Sequence, residues 1–189
     1  MINELQQSIQ GDDQVAIAFF YCNFREQTTR AGILTVLLRQ FVQQLSVIPD
    51  VLEEAYAKHL EHGLTLTVDE SLGFLSSTLA MFSRTFILLD ALDECHLQGA
   101  ERGKLLSDFF RLQETQNLGL FATSRDNPDI ARSFYGKLNL RIRATSADVE
   151  RFLRGQLKSL PKVVLQNEDL QRDIVAAVTH SMDGMSVEL

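Results

Sequence analysis

"TFILLDALDE", residues 85–94, carries a run of apolar and β-branched residues straight into an aspartate, Asp90, and places Asp93 and Glu94 just beyond it. A short apolar run bounded by turn residues is the pattern of a strand buried on both faces. Two other stretches share it, "VAIAFFYC" at 15–22 and "LGLFATS" at 118–124. Between them the apolar period changes to that of helices. Ile33, Leu34, Leu37, Leu38, Phe41, Val42 and Leu45 mark one buried face of a helix over 30–46. A second helix is expected over about 50–60. A third opens at Thr67, where Glu70 completes a capping box, and carries Leu72, Leu75, Leu79 and Phe82 inward. Leu105, Leu106, Phe109 and Leu112 place another helix over 101–115.

Apolar strands alternating with long helices predict an α/β fold, a parallel sheet covered by helices on both faces. "KLNLRIR", 137–143, alternates strictly and reads as a half-exposed strand at a sheet edge. Asn127 followed by Pro128 suits a helix start. Ser146 is expected to cap a helix bearing Val149, Phe152, Leu153, Leu157 and Leu160, which Pro161 ends. A last helix runs over about 168–180. At the other end, Ile2, Leu5 and Ile9 share one face of a helical stretch that Gly11 stops. The expected division is a core over 1–144 and a helical extension over 145–189.

The chain has 189 residues and a net charge of −7. An acidic balance argues against nucleic acid as a partner, because phosphate binding needs a concentrated basic face. No apolar run reaches the roughly 18–20 residues of a membrane span, and the polar start "MINELQQSIQ" is no signal peptide. Neither membrane nor nucleic acid is expected as a partner, and the expected location is cytoplasmic. Cys22 and Cys95, far apart in sequence, read as reduced, buried thiols rather than a disulfide.

The acids invite a chemical reading. Ligands of parallel α/β sheets sit at the carboxyl ends of the strands, where Asp90, Ser124 and Arg125 fall. A hard cation such as Mg²⁺ takes one or two carboxylates and fills its shell with water and phosphate oxygens. An apolar run, Asp, a small residue, an apolar residue and Asp-Glu is a Walker-B-like pattern; a strand meeting an acidic turn or helix start would look the same. Cys95 and His96 follow directly, but with Cys22, His59 or His62 they make no metal-ligand spacing. Ser124 lacks the G-x-S-x-G setting of a nucleophile. Arg25 and Arg30 read as solvated surface, as does the cluster Arg141, Arg143, Arg151 and Arg154.

"FILLDALDEC" followed by "LGLFATSR" resembles the Walker B and sensor 1 segments of NACHT-type NTPases, the signal-transduction (STAND) class of P-loop ATPases. "AIAFFYCNFREQTTRAGILTVLLRQFVQQL" resembles the preceding strand and helix of fungal NACHT proteins of the heterokaryon-incompatibility type. The resemblance implies Mg²⁺ on Asp90, water activation by Asp93 or Glu94, and nucleotide contacts from Ser124 and the sensor Arg125. It further implies ATP or ADP as cofactor, an innate-immunity type of signalling switch, and homotypic or related NACHT proteins as partners. The family's phosphate loop, G-x-x-x-x-G-K-[ST], does not occur: "GAERGKLL" at 99–106 has the wrong spacing and a leucine for Ser/Thr, and "YGKL" at 135–138 lacks the first glycine. The chain therefore reads as a member that starts just inside the NTPase domain. The alternative is a degenerate NTPase fold used as a non-catalytic self-association or protein-binding module.

Overall fold

The computed structural model describes residues 14–62, 65–97, 100–142, 145–157, 160–181 and 187–188. The helical stretch expected at residues 2–10 lies outside them, as do Arg143 and any structural test of where the chain begins. The chain divides into two compact units, Met1–Lys137 and Leu138–Leu189.

The first unit is built on three parallel strands in the order β1 (Val15–Tyr21), β2 (Arg84–Asp90) and β3 (Leu118–Ala122). Register runs Val15 to Arg84 through Tyr21 to Asp90, and Thr85 to Leu118 through Leu89 to Ala122. The connection from β1 to β2 contains α1 (Arg30–Val42), α2 (Asp50–His62) and α3 (Val68–Leu79); α4 (Glu101–Thr115) joins β2 to β3. Crossovers between parallel strands are right-handed. Two successive crossovers moving the same way across the sheet put both connections on one face. The sequence predicts helices on both faces; among the described residues, α1, α3 and α4 build the core on one. That core joins Ala16, Ala18, Ile87, Leu89 and Leu118 to Ile33, Leu37, Phe41, Leu75, Leu105 and Phe109.

Local signals explain the helix ends. Thr29 caps α1 by accepting from the Gly32 N–H, and the Thr67–Glu70 capping box of α3 is formed in both directions. The helix α1 stops at Val42, short of the expected residue 46, and Gln43 closes it. Asn127 caps α5 (Pro128–Ser133) through the N–H groups of Asp129 and Ile130. Arg30, expected on the surface, is instead half-buried. Its guanidinium grips buried Asp108 of α4 through Nε at 2.7 Å and Nη2 at 2.5 Å, tying α1 to α4.

The two edges of the sheet differ. On β1, backbone groups of Ile17 and Phe19 point outward, because the Cys22 N–H addresses the neighbouring Asp90 carbonyl and sides alternate. The amide of Gln40 accepts from Phe19 N–H (3.0 Å) and donates to Phe19 C=O (2.8 Å). Gln44 does the same to Ile17, at 3.1 and 2.9 Å. Two side chains thus stand where a neighbouring strand would. On β3, Asn117 C=O and Thr123 N–H address β2, so Leu118, Leu120 and Ala122 face outward. The Leu118 carbonyl is taken by Gln113 and its N–H by the Gln116 carbonyl. No described residue bonds the outward backbone groups of Leu120 and Ala122. Gly119 on β3 is required by a close approach: a Cβ there would lie 2.6 Å from the ring of Phe86, its register partner on β2.

In the second unit, α6 (Ser146–Leu157), α7 (Lys162–Leu165) and α8 (Glu168–Ser181) lie between β5 (Arg141–Ile142) and β6 (Val187–Glu188), which pair antiparallel. The cap of α6 is Thr145, not Ser146: its Oγ1 accepts from the Asp148 N–H, and the Asp148 carboxylate answers at the Thr145 N–H. Among the described residues of the strand expected over 137–143, only Arg141–Ile142 are extended in a pair. Its alternating Leu138 and Leu140 have no buried face to fill and stand exposed.

Gln40→Leu should leave both Phe19 backbone groups unpaired and cost about 1–3 kcal/mol, lowering the urea midpoint at constant slope. Asp108→Ala, which leaves the half-buried Arg30 guanidinium only Glu101 at 3.7 Å, should cost about 1.5–3 kcal/mol by the same measurement.

Candidate functional site

The three acids sit where the chain leaves β2 and must turn toward β3. Ala91 turns it, with φ at 54°, in the left-handed region that a side chain makes costly. A single 3₁₀ turn, Leu92–Glu94, follows. The turn is held against the end of β3 chiefly by one residue, Thr123. Its N–H donates to Leu89 C=O (2.9 Å) and its carbonyl accepts from Leu92 N–H (2.8 Å). Its hydroxyl accepts from the Ala91 N–H (2.9 Å) and donates to Asp90 Oδ1 (2.5 Å). All four hydrogen bonds bind the end of one strand to the end of the next.

The other two acids meet Arg125, in the extended pair Ser124–Arg125 (β4). Asp93 Oδ1 accepts from the Arg125 N–H at 3.0 Å, and Asp93 Oδ2 lies 3.6 Å from Arg125 Nε. Glu94 Oε1 receives Arg125 Nη2 at 2.5 Å. The Arg125 side chain is 69% exposed, so water screens these pairs and each contributes at most about 1 kcal/mol. Ser124 is buried, and its hydroxyl donates to the Arg125 carbonyl at 2.7 Å. The structure therefore brings Asp90, Asp93, Glu94, Ser124 and Arg125 together, as their sequence positions predict. It joins them to each other and to Thr123.

Thr123 is absent from the sequence-derived set. A threonine closing an apolar strand is common, and only the register that brings it level with Asp90 reveals its role. Beside Asp93 lies an open cleft of about 720 Å³, walled by Thr28, Arg30, Cys95, His96 and Arg102 among others. Cys22 and Cys95, both buried, lie beneath the acids.

Comparison with known families decides the identity. The family described as "Nephrocystin 3, N-terminal" matches residues 1–125 of the 189. The chain belongs to that family. The resemblance to NACHT-type, STAND-class P-loop NTPases is thereby corrected, for the family that spans most of the chain is the nephrocystin 3 N-terminal one. With it go the fragment of an ATP-driven innate-immunity switch and the expected NACHT-protein partners. The resemblance rested on the acid-bearing strand end, the segment ending in Arg125 and the strand and helix before them, and an acidic turn shares the first of these. No curated protein matches the chain.

Among the described residues no group of three or more His, Cys, Asp or Glu side chains is arranged to hold a metal ion. Nor is any described helix long and apolar enough to cross a membrane. What stands in this family member is a small parallel α/β sheet flanked by helices, with a cross-braced strand end.

Thr123→Val keeps the shape but leaves Asp90 Oδ1 and the Ala91 N–H without this partner. It should lower stability by about 1–3 kcal/mol in urea titration. Ala91→Gly, which relieves the left-handed backbone, should raise it by up to about 1 kcal/mol.

Proposed function

We propose that this nephrocystin 3 N-terminal chain is a non-catalytic self-association module: an NTPase-type fold in which the acid cluster braces the sheet and an open edge joins a second copy. The observation that carries this reading is the contrast between the edges of the first unit. The β1 edge is sealed by Gln40 and Gln44, while on β3 no described residue bonds the outward N–H and C=O groups of Leu120 and Ala122. Edge strands left open pair with another strand, and proteins normally blunt them. A fold that blunts one edge with specific hydrogen bonds and leaves the other open has one surface suited to pairing.

The local geometry favours an isologous partner. Antiparallel strands exchange paired hydrogen bonds between residues that face each other. A two-fold axis at Phe121 sets Leu120 of each copy opposite Ala122 of the other. That register uses the open groups and leaves Leu118, already bonded by Gln113 and Gln116, out of the ladder. The acids support the non-catalytic half of the proposal. Asp90, Asp93 and Glu94 are each held by the chain's own donors, so structural roles are proposed for them, for Ser124 and for Arg125.

Size-exclusion chromatography with light scattering tests this across a concentration series, with and without Mg-ATP. A concentration-dependent dimer that ignores nucleotide is expected. Phe121→Lys, which opposes two cations at the axis, should raise its Kd about tenfold or more, a loss of about 1.4 kcal/mol. A monomer throughout, a dimer that forms only with Mg-ATP, or a dimer indifferent to Phe121→Lys would sink the proposal.

A further inference from the structure

Two nucleophilic side chains outside the acid–arginine brace meet beneath it. Cys22 follows the last residue of β1, and its N–H donates to the Asp90 carbonyl at 2.9 Å. Cys95 ends the 3₁₀ turn, its N–H returning to the Leu92 carbonyl. The turn begun by Ala91 leads to Cys95, and both cysteines belong to one buried cluster although 72 residues separate them. Both are free, at 7% and 3% exposure, and the thiols contact one another. They are not equivalent. The Cys22 thiol is pushed far up by its contact with Cys95, by burial and by the negative charge of Asp90 and Asp93. The Cys95 thiol is held below its usual range by the Cys22 thiol, with Arg102 adding to the effect against burial. Of the two, Cys95 is the thiol whose ionised form is favoured and the one that reaches the cleft, so it is taken as the nucleophile. Cys95 also lines the open cleft beside Arg102 and His96, which gives a small oxidant a route to it.

We propose that Cys22 and Cys95 form a reversible intramolecular disulfide on exposure to a peroxide, making the end of β1 a redox-modification site. Cys95 sulphur attacks one peroxide oxygen, the O–O bond breaks, and water leaves once the departing hydroxide is protonated. The sulfenic acid formed on Cys95 is then attacked by Cys22 sulphur, its S–O bond breaks and a second water leaves. Two thiols are oxidised by two electrons in all, and one hydrogen peroxide is reduced to two waters. A dithiol such as dithiothreitol reverses the step by thiol–disulfide exchange. The bond would tie β1 directly to the acid-bearing turn and alter one wall of the cleft. It stands independently of the association reading, since neither cysteine lies on the β3 edge.

The test is peptide mapping of the full chain after hydrogen peroxide, with remaining thiols blocked by N-ethylmaleimide and digestion without reduction. Free glutathione in a parallel tube shows that the oxidant is active. The expected result is a Cys22–Cys95 cross-linked peptide lighter by two hydrogen atoms, a monomeric band on a non-reducing denaturing gel, and return of both thiols with dithiothreitol. In Cys22→Ser, Cys95 should stop at the sulfenic acid and be captured by dimedone. Both thiols blocked by maleimide, Cys95 driven to sulfinic acid beside a free Cys22, or bridges only between chains would each overturn the proposal. The wild-type map alone decides if the serine variant fails to fold.

Discussion

The hydroxyl of Thr123 sits between the Asp90 carboxylate and the Ala91 N–H, and the end of the sheet depends on it. A strand that ends in an acid and reverses through a left-handed alanine has two awkward groups, a carboxylate leaving the sheet and an N–H that the ladder no longer serves. One hydroxyl can satisfy both, because it donates and accepts at once. The main chain of the same residue bonds Leu89 and Leu92, so the position of the turn and the register of β3 are set together. Everything after the turn inherits that setting, including the approach of Asp93 and Glu94 to Arg125 and the return of Cys95 toward Cys22.

Electrostatics adds less to this end of the molecule than the number of charges suggests. Arg125 is mostly in water, which screens its pairing with both acids. The deeper ionic contact lies elsewhere, between Arg30 and buried Asp108, where leaving either partner alone would be costly. Stability of the first unit thus rests on apolar packing of α1, α3 and α4 against one sheet face, on the Arg30–Asp108 clamp, and on hydrogen bonds at the strand ends and at the β1 edge.

Much of the fold is legible in the residues. The three strands follow from unbroken apolar runs, and α1, α3 and α4 from their period and caps, Thr67 with Glu70 above all. What is illegible depends on register or direction. Gln40 and Gln44 fall on a helix read only for its apolar face, and nothing local says that their amides meet a strand edge. That the described crossover helices α1, α3 and α4 share one face follows from the spatial order of the strands. Leu138 and Leu140 alternate like strand residues, but alternation without a partner makes no ladder. The site divides the same way. The meeting of Asp90, Asp93, Glu94, Ser124 and Arg125 could be foreseen from strand ends, whereas the pairing of Asp90 with Thr123 could not. The family resemblance inferred from that acid pattern was misleading because bracing a turn and binding a cation call on the same residue types.

The most direct test of the brace is a double-mutant cycle between Asp90 and Thr123, using Asp90→Asn, Thr123→Val and the pair, each followed by urea unfolding with and without Mg-ATP. A structural brace predicts a coupling energy of about 0.5–3 kcal/mol that nucleotide leaves unchanged. Additive effects, together with wild-type stabilisation by Mg-ATP that Asp90→Asn removes, would contradict it.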